Sequence, residues 1–236
     1  MRLLMGAALA AVAGSAAAQV PHDKAAAHER RTFHMVRAEV DYGHPDGGDV
    51  LRWEGDAWIG GDRQKLWLRS DGEHADGDLH EADIEALYSR NVATFWDLQV
   101  GVRQDFEPSS TTYLAAGVQG LAPYQFETEA FAYLSDDGDL GARLLQSVDV
   151  HLTQRLILEP EVELELQADD VPERGLGAGF TEAGLSAQLR YEFSRKFAPY
   201  LTVAWERRLG ETASIARAAG DDVETTSLRA GLRVWF

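Results

Sequence analysis

One segment of the chain carries a carboxylate at every second position, with proline, valine and leucine between. In a β-strand every second side chain points to the same face, about 6.8 Å from the next one on that face. A row of ionised carboxylates at this spacing attracts cations and offers oxygen ligands to them. The row comprises Glu159, Glu161, Glu163 and Glu165.

Other segments alternate in the same way, with polar and apolar residues on opposite faces. Residues 226–236 at the C-terminus alternate Leu228, Leu232 and Phe236 with Arg229 and Arg233. An ionised side chain facing lipid is costly, whereas water can reach the interior of a membrane barrel. We therefore expect apolar faces toward lipid and polar faces toward a lumen. The polar faces of three early segments hold Arg37, Glu39, Asp41, Arg52, Glu54, Asp56, Glu81, Asp83 and Glu85.

Twelve segments have this strand character, and most approach the roughly 9–11 residues that a tilted strand needs to cross a bilayer. An even number suits a single-chain bacterial barrel with both termini in the periplasm. The predicted strands are residues 32–42, 50–60, 64–71, 80–89, 95–104, 111–121, 126–135, 142–153, 156–168, 181–193, 199–208 and 225–236.

The connections between these segments alternate in length. Residues 60–63, 121–124, 153–155 and 194–197 form short links, whereas residues 168–180 and 209–224 form long ones. A loop through Asp71, Gly72 and Gly77 follows the third strand. The pattern predicts an all-β fold: a transmembrane antiparallel up-and-down β-barrel of about 12 strands, with short periplasmic turns and longer extracellular loops.

Proline tests the strand assignment, because it lacks the amide that a sheet ladder uses. Pro199 begins its predicted strand and fits. Pro160 lies inside another one, so that strand starts near Glu161 or contains a bulge. We expect a bulge near the periplasmic end.

The N-terminus predicts export. Arg2, the apolar run of residues 3–13 and the small residues 16–18 form a secretory signal peptide, which is too short to span a bilayer as a helix. We expect residues 1–18 to be the signal, 19–31 a short flexible periplasmic arm and 32–236 the outer-membrane barrel. Cleavage after Ala18 would deliver the chain to the cell outer membrane.

The composition of the chain limits the classes of molecule that it can bind. The chain has 39 acidic residues against 22 lysines and arginines, a formal net charge of −17, and no cysteine. Such a charge repels nucleic acid and anionic lipid headgroups and attracts cations, so no nucleic-acid partner is expected. Without cysteine, the exported chain forms no disulfide.

The lumen acids have two interpretations. Rings of aspartate and glutamate in a narrow passage select cations. Alternatively, arginines on the same faces pair with the acids and hold the barrel together. His151 shares a face with Asp149 and could join an ion path near the periplasmic end. The candidate metal-contacting residues are Glu39, Asp41, Glu54, Asp56, Asp83, Glu85, Asp149, His151, Glu161, Glu163 and Glu165.

The chain also resembles the copper resistance protein B (CopB/PcoB) family of outer-membrane proteins. The matching stretches follow one another in order over nearly all of residues 32–236. They are Lys65–Glu73 (KLWLRSDGE), Leu87–Arg90 (LYSR), Phe95–Leu98 (FWDL), Gly117–Tyr124 (GVQGLAPY), Gln154–Pro160 (QRLILEP), Arg190–Glu192 (RYE), Phe197–Tyr200 (FAPY) and Gly231–Phe236 (GLRVWF).

This resemblance implies a copper-binding barrel of a bacterial copper resistance system that passes or handles copper at the cell boundary. The copper ion is then its bound or transported ion, with no organic cofactor. The implied partners are outer-membrane lipid, copper ions and periplasmic copper-handling proteins. Larger family members carry a Met- and His-rich N-terminal segment, whereas only Met35 remains here after residue 18. Cu(I) prefers cysteine or methionine sulfur, so the donor set predicts Cu(II).

Three alternatives remain open from the sequence. One is a general small-solute porin without metal selectivity. Another is an outer-membrane lipid hydrolase using Ser147 and His151, although four strand residues separate them by about 13 Å and a base needs about 3 Å. A third is a secreted β-sandwich of two stacked sheets. We expect a non-enzymatic protein.

Overall fold

The computed structural model describes residues 32–44, 48–75 and 77–236. The predicted signal peptide and periplasmic arm, residues 1–18 and 19–31, lie outside these ranges. Within them the chain is almost entirely β-structure. The strands are β1 Phe33–Gly43, β2 Val50–Gly60, β3 Gln64–Ala75, β4 Asp78–Ala93, β5 Trp96–Glu107, β6 Thr111–Ala122, β7 Phe126–Ser135, β8 Leu140–Ser147, β9 Val150–His151, β10 Leu156–Gln167, β11 Gly179–Tyr191, β12 Phe197–Arg208 and β13 Glu224–Trp235.

The strands close into a barrel. Apart from β8 and β9, consecutive strands pair antiparallel with each other, and β1 pairs with β13, with Ala38 opposite Val234. The two-residue β9 and the longer β8 both pair with β10 and form one wall strand between them. The described residues therefore form a closed antiparallel barrel with twelve wall strands, as the sequence predicts.

The wall is interrupted opposite Pro160, but not by a bulge. Glu161 lies opposite Ser147 and Leu158 lies opposite Val150, so three steps along β10 match three steps along β8 and β9. No residue is inserted, and the expected bulge at Pro160 is wrong. Proline has no amide hydrogen to donate, and this accounts for a gap between β8 and β9 without a change of register.

Side-chain exposure confirms which face points outward. On β13, Leu228 is 62% exposed, whereas the adjacent Arg229 is 8% exposed. Leu201 and Val203 on β12 are likewise exposed, and Thr202 between them is buried. The apolar face forms the outer surface, where lipid meets an outer-membrane barrel, and the polar face points into the lumen.

The connections also follow the predicted alternation, with two differences. The third and fourth strands continue past the predicted loop: Gly72 pairs with Ala82, and Ala75 pairs with Asp78. Asp71 and Gly72 therefore lie in β3, and β4 begins at Asp78, directly after Gly77, which has a φ of +98°.

The second difference is a helix in the long link between β12 and β13. This helix, α1, comprises Gly210–Ala219 and ends at Gly220, which has a φ of +88°. Gly220 is the left-handed cap that commonly ends a helix. In the described part of the chain, no helix has the length and apolar character needed to cross a bilayer.

Apolar side chains fill part of the barrel interior. Leu87, Ala115 and Phe131 are each at most 5% exposed and pack with Trp67 and Tyr133. These residues lie on the inward faces of β3, β4, β6 and β7. The wall from β3 to β7 thus carries a packed apolar cluster in a lumen that the alternation predicts to be polar throughout.

Candidate ion pathway in the lumen

A cavity of about 710 Å³ occupies the lumen. Seventeen carboxylates line it against eight arginines, an excess of nine acids. The acids are Glu39, Asp41, Glu54, Asp56, Asp71, Glu73, Glu81, Asp83, Glu85, Glu127, Glu129, Glu159, Glu161, Glu163, Glu165, Glu182 and Glu206; the arginines are Arg37, Arg52, Arg69, Arg103, Arg143, Arg208, Arg229 and Arg233.

Arginines near the periplasmic end join carboxylates from distant parts of the chain. Arg233 Nε on β13 lies 2.5 Å from Glu39 Oε1, and its Nη2 lies 3.3 Å from Glu159 Oε2. Arg190 pairs with both Glu159 and Asp149. Charge-assisted contacts of this kind tie strands β1, β10, β11 and β13 together across the interior.

Arg69 on β3 is the centre of a second network. Its guanidinium donates to Glu129 at 2.9 Å and to Gln119 at 3.1 Å. The same group lies 5.3 Å from the centre of the Trp67 ring and 5.5 Å from that of Phe131. A planar guanidinium can bind carboxylates at its edge and stack on aromatic faces. Arg69 thereby joins the apolar cluster to the polar lumen.

The remaining lumen arginines are paired as well. Arg103 lies 3.1 Å from Asp83 and 2.6 Å from Asp105, and Arg143 pairs with Glu163. Other contacts join Arg37 to Glu54 at 2.7 Å and to Asp56, Arg52 to Glu206 at 2.9 Å and to Glu73, and Arg229 to Asp41 at 3.1 Å. Most lumen acids are thus neutralised by a neighbouring guanidinium.

Five lumen carboxylates have no arginine or lysine within ion-pair distance among the described residues: Asp71, Glu127, Glu161, Glu165 and Glu182. We call these the unpaired carboxylates. Along β10 they alternate with arginine-paired acids, because Glu159 and Glu163 are paired.

The sheet register places the unpaired carboxylates beside other acids. Glu165 lies directly opposite Glu182 on β11, and Asp71 lies directly opposite Glu54 on β2. Like charges opposite each other on adjacent strands repel and destabilise the pair. The pairing of β10 with β11 also shifts between Glu165 and Leu166, a β-bulge of the kind that re-aims side chains near functional sites.

Most sequence-predicted site residues line this cavity. Two do not: Asp149, which pairs with Arg190, and His151, which lies in β9 and is exposed. The residues that do line it are Glu39, Asp41, Glu54, Asp56, Asp83, Glu85, Glu161, Glu163 and Glu165.

Three of the unpaired carboxylates are absent from the sequence-predicted set. Asp71 falls in the predicted loop, although the alternation Lys65, Trp67, Arg69, Asp71 already places it on an inward face. Glu127 and Glu182 begin polar alternations on β7 and β11 that the sequence contains. In the part of the chain that the structure describes, no group of three or more His, Cys, Asp or Glu residues is arranged to hold a metal ion.

Solved structures with the same architecture are outer-membrane barrels. The NanC porin matches with a TM-score of 0.59 at 13% identity, covering 84% of this chain and 98% of that one. The KdgM porin matches with a TM-score of 0.52 at 11% identity over the same shares. At these identities the likeness concerns the fold alone.

Sequence comparisons are more specific. The family model described as Copper resistance protein B precursor (CopB) matches residues 31–236. Copper resistance protein B of Escherichia coli is 38% identical over 213 residues, which are 89% of this chain and 72% of that protein. The Copper resistance protein B homolog of Pseudomonas syringae pv. tomato is 40% identical over 204 residues, 86% of this chain and 69% of that protein. The chain belongs to the copper resistance protein B family.

Proposed function

We propose that this barrel passes copper ions, as Cu(II), across the outer membrane through its acidic lumen. Family membership supports the metal, and the excess of carboxylates over arginines in the cavity supports a cation. A low-dielectric wall lined with one sign of charge concentrates counter-ions inside it. Copper is the transported ion in this proposal, and no organic cofactor takes part.

The observation that carries the proposal is the position of Glu165 opposite Glu182, with no arginine of the described residues within ion-pair distance of either carboxylate. Such a pair costs stability in the empty barrel, because the two charges repel. A cation passing between them relieves that repulsion. Glu161 continues the row on β10 and accepts a long hydrogen bond, 3.4 Å, from the Ser186 hydroxyl.

The donor chemistry favours Cu(II) over Cu(I). The chain has no cysteine, and Met35 is the one methionine among the described residues. Cu(I) selects soft sulfur ligands, whereas oxygen and imidazole donors suit the divalent ion. A row of carboxylates reached by water exchanges a divalent ion more readily than a closed sulfur site does.

The remaining assignments follow from this role. The barrel lies in the outer membrane after removal of its signal peptide, contacts lipid around its apolar belt, and exchanges copper with periplasmic copper-handling proteins. It binds no nucleic acid. We propose no enzymatic activity: Ser147 is buried in the lumen wall, and His151 lies four residues further along the same wall in β9.

The test is ion flux into liposomes containing the refolded barrel. Wild-type protein should admit Cu(II) faster than a neutral sugar whose size is similar to that of the hydrated copper ion. The triple change Glu161→Gln, Glu165→Gln and Glu182→Gln removes three unpaired charges without changing side-chain size, and it should slow Cu(II) while sugar entry stays the same. Unchanged Cu(II) entry would contradict the proposed route.

A general porin is the second candidate, and the open cavity of about 710 Å³ favours it. NanC and KdgM, which share the fold, are both porins by name. The same liposomes decide between the two functions, because a general porin admits sugar and copper equally. Equal entry would replace the copper pathway with this second candidate.

A further inference from the structure

The long link between β10 and β11 has a fixed conformation of its own. We call residues 168–178 the strap. Val171 and Leu176 pair backbone to backbone, with N–O distances of 2.8 and 3.1 Å. Between them, Pro172–Arg174 form a single 3-10 turn that ends at Gly175, which has a φ of +68°. The strap is therefore a compact hairpin with Arg174 near its tip.

Arg174 reaches across the extracellular mouth. Its guanidinium carbon lies 5.4 Å from the centre of the Tyr113 ring, near the start of β6. The strap leaves the wall at β10 and returns at β11, and strands β8 and β7 lie between β10 and β6 in the sheet. The contact therefore spans part of the opening.

A small cavity of about 90 Å³ separates the strap from the main lumen. Arg174 and Leu176 of the strap line it together with Tyr113. Four of its lining residues also line the large cavity: Arg103, Tyr133, Arg143 and Glu165. The small cavity therefore adjoins the main lumen at these four residues and the strap at Arg174 and Leu176.

Helix α1 supports the strap from the next long loop. The Gly177 amide donates to Thr212 Oγ1 at 2.9 Å, in a buried position. A side-chain carbon at position 177 would lie 2.3 Å from Glu211 Cβ, so the two loops meet too closely for any residue but glycine. Thr212, Ala213 and Ala216 are the buried residues of the helix. The strap thus packs on the helix at one point and contacts the opposite wall at another.

The contact with the wall is the weaker of the two. Arg174 has no carboxylate within ion-pair distance among the described residues, so its stacking on the Tyr113 ring is not reinforced by an ion pair. A single stacked guanidinium is a contact that thermal motion can break. We propose that the strap is a gate at the extracellular mouth, closed by Arg174 stacking on Tyr113. The gate acts on any small ion and does not depend on copper being the transported ion.

Single-barrel conductance in planar bilayers bathed in KCl tests the gate. Arg174→Gln and Tyr113→Leu each remove one side of the stack, and only the first changes charge. Both should raise the mean conductance and abolish closing events. Arg217→Gln is the matched control, because it removes the same charge from the exposed end of α1 on the same side of the membrane. It should behave as wild type.

Two results would overturn the proposal. If Arg174→Gln alters conductance and Tyr113→Leu does not, Arg174 acts through its charge, and its stacking on Tyr113 does not close a gate. If neither variant differs from wild type, the strap does not gate the barrel.

Tyr113 is only 6% exposed, so its leucine variant could fail to fold. A second experiment then keeps Tyr113 and uses Arg174→Cys, whose thiol can be labelled alone because the chain has no other cysteine. This variant should conduct more than wild type. A methanethiosulfonate reagent that attaches a benzyl group lets a ring stack on Tyr113 again and should lower the conductance, and a reductant that removes the label should raise it. Conductance that the label does not change would overturn the gate.

Discussion

Glu165 and Glu182 face each other on adjacent strands, and neither carboxylate has an arginine partner in the part of the chain that the structure describes. On the inward face of β10, Glu159 pairs with Arg190 and Glu163 pairs with Arg143. The barrel therefore pairs part of the row with arginine and leaves the rest without a counter-charge. This distinction separates residues that hold the wall together from residues that can meet an ion.

Removing the facing charges should stabilise the barrel. We expect Glu165→Gln with Glu182→Gln to raise the free energy of unfolding by about 0.2–1 kcal/mol, since a like-charge pair is relieved. Urea titration of refolded protein, followed by gel mobility, measures the change. Glu192→Gln with Glu211→Gln removes two acids outside the lumen and should leave stability unchanged. A destabilised Glu165/Glu182 variant would contradict the interpretation.

Glu163 should behave differently from its neighbours on the same face. It pairs with Arg143, whose side chain is 35% exposed. Glu163→Gln should lower stability by about 1 kcal/mol, because Arg143 loses its carboxylate in a partly solvated site. Glu161→Gln should have a smaller effect. If the two substitutions cost the same, Glu163 is not a structural partner of Arg143.

Arg69 should be the most sensitive lumen position. It lies within ion-pair distance of Asp56, Glu85 and Glu129 and is 9% exposed. Arg69→Leu leaves buried acids without a counter-charge, which typically costs about 3–5 kcal/mol. Thermal unfolding in detergent should show a large loss. Arg207 is exposed and lies outside the cavity, so Arg207→Leu should lower thermal stability only slightly. Equal losses of stability in the two variants would contradict the special role of Arg69.

Spin labels can check which face meets lipid. A nitroxide attached to a cysteine at position 228 should be relaxed by oxygen, which dissolves in the bilayer. A nitroxide attached at position 227 should be relaxed by a water-soluble paramagnetic reagent. The two positions differ in exposure, 62% against 7%, because they lie on opposite faces of β13. A label at Ser227 that senses lipid would reverse the assignment of the lumen.

The oxidation state of copper can be tested by calorimetry. Cu(II) should bind the refolded barrel more tightly than Cu(I), because the lumen offers carboxylates and no thiolate. The Glu161, Glu165 and Glu182 glutamine variant should weaken the Cu(II) signal. Tighter binding of Cu(I) would show that another donor set is used.

The period-two alternation was enough to predict the twelve wall strands and their lipid-facing sides. It worked because one face of each strand meets lipid, which leaves little freedom in residue type. It missed the apolar cluster inside the barrel. Leu87 follows Glu85 on the same inward face, and the rule that polar residues point inward does not anticipate it.

The pairing of lumen charges could not be predicted from the sequence. Arg233 contacts Glu159, 74 residues away, and Arg69 contacts Glu129, 60 residues away. These contacts depend on barrel closure and on the reach of long side chains over several strands. Helix α1 was missed for a different reason. Its alanine-rich run before Gly220 is a helix signal, but residues 209–224 were interpreted as one long loop.

The apolar cluster of Leu87, Ala115 and Phe131 has a consequence for the charges beside it. The Arg69 guanidinium, which contacts lumen acids, also stacks on Trp67 and Phe131 of this packed region. A substitution that shrinks Phe131 should therefore disturb both the ring packing and the position of the guanidinium on it. On this side of the barrel, shape and charge balance depend on the same side chains.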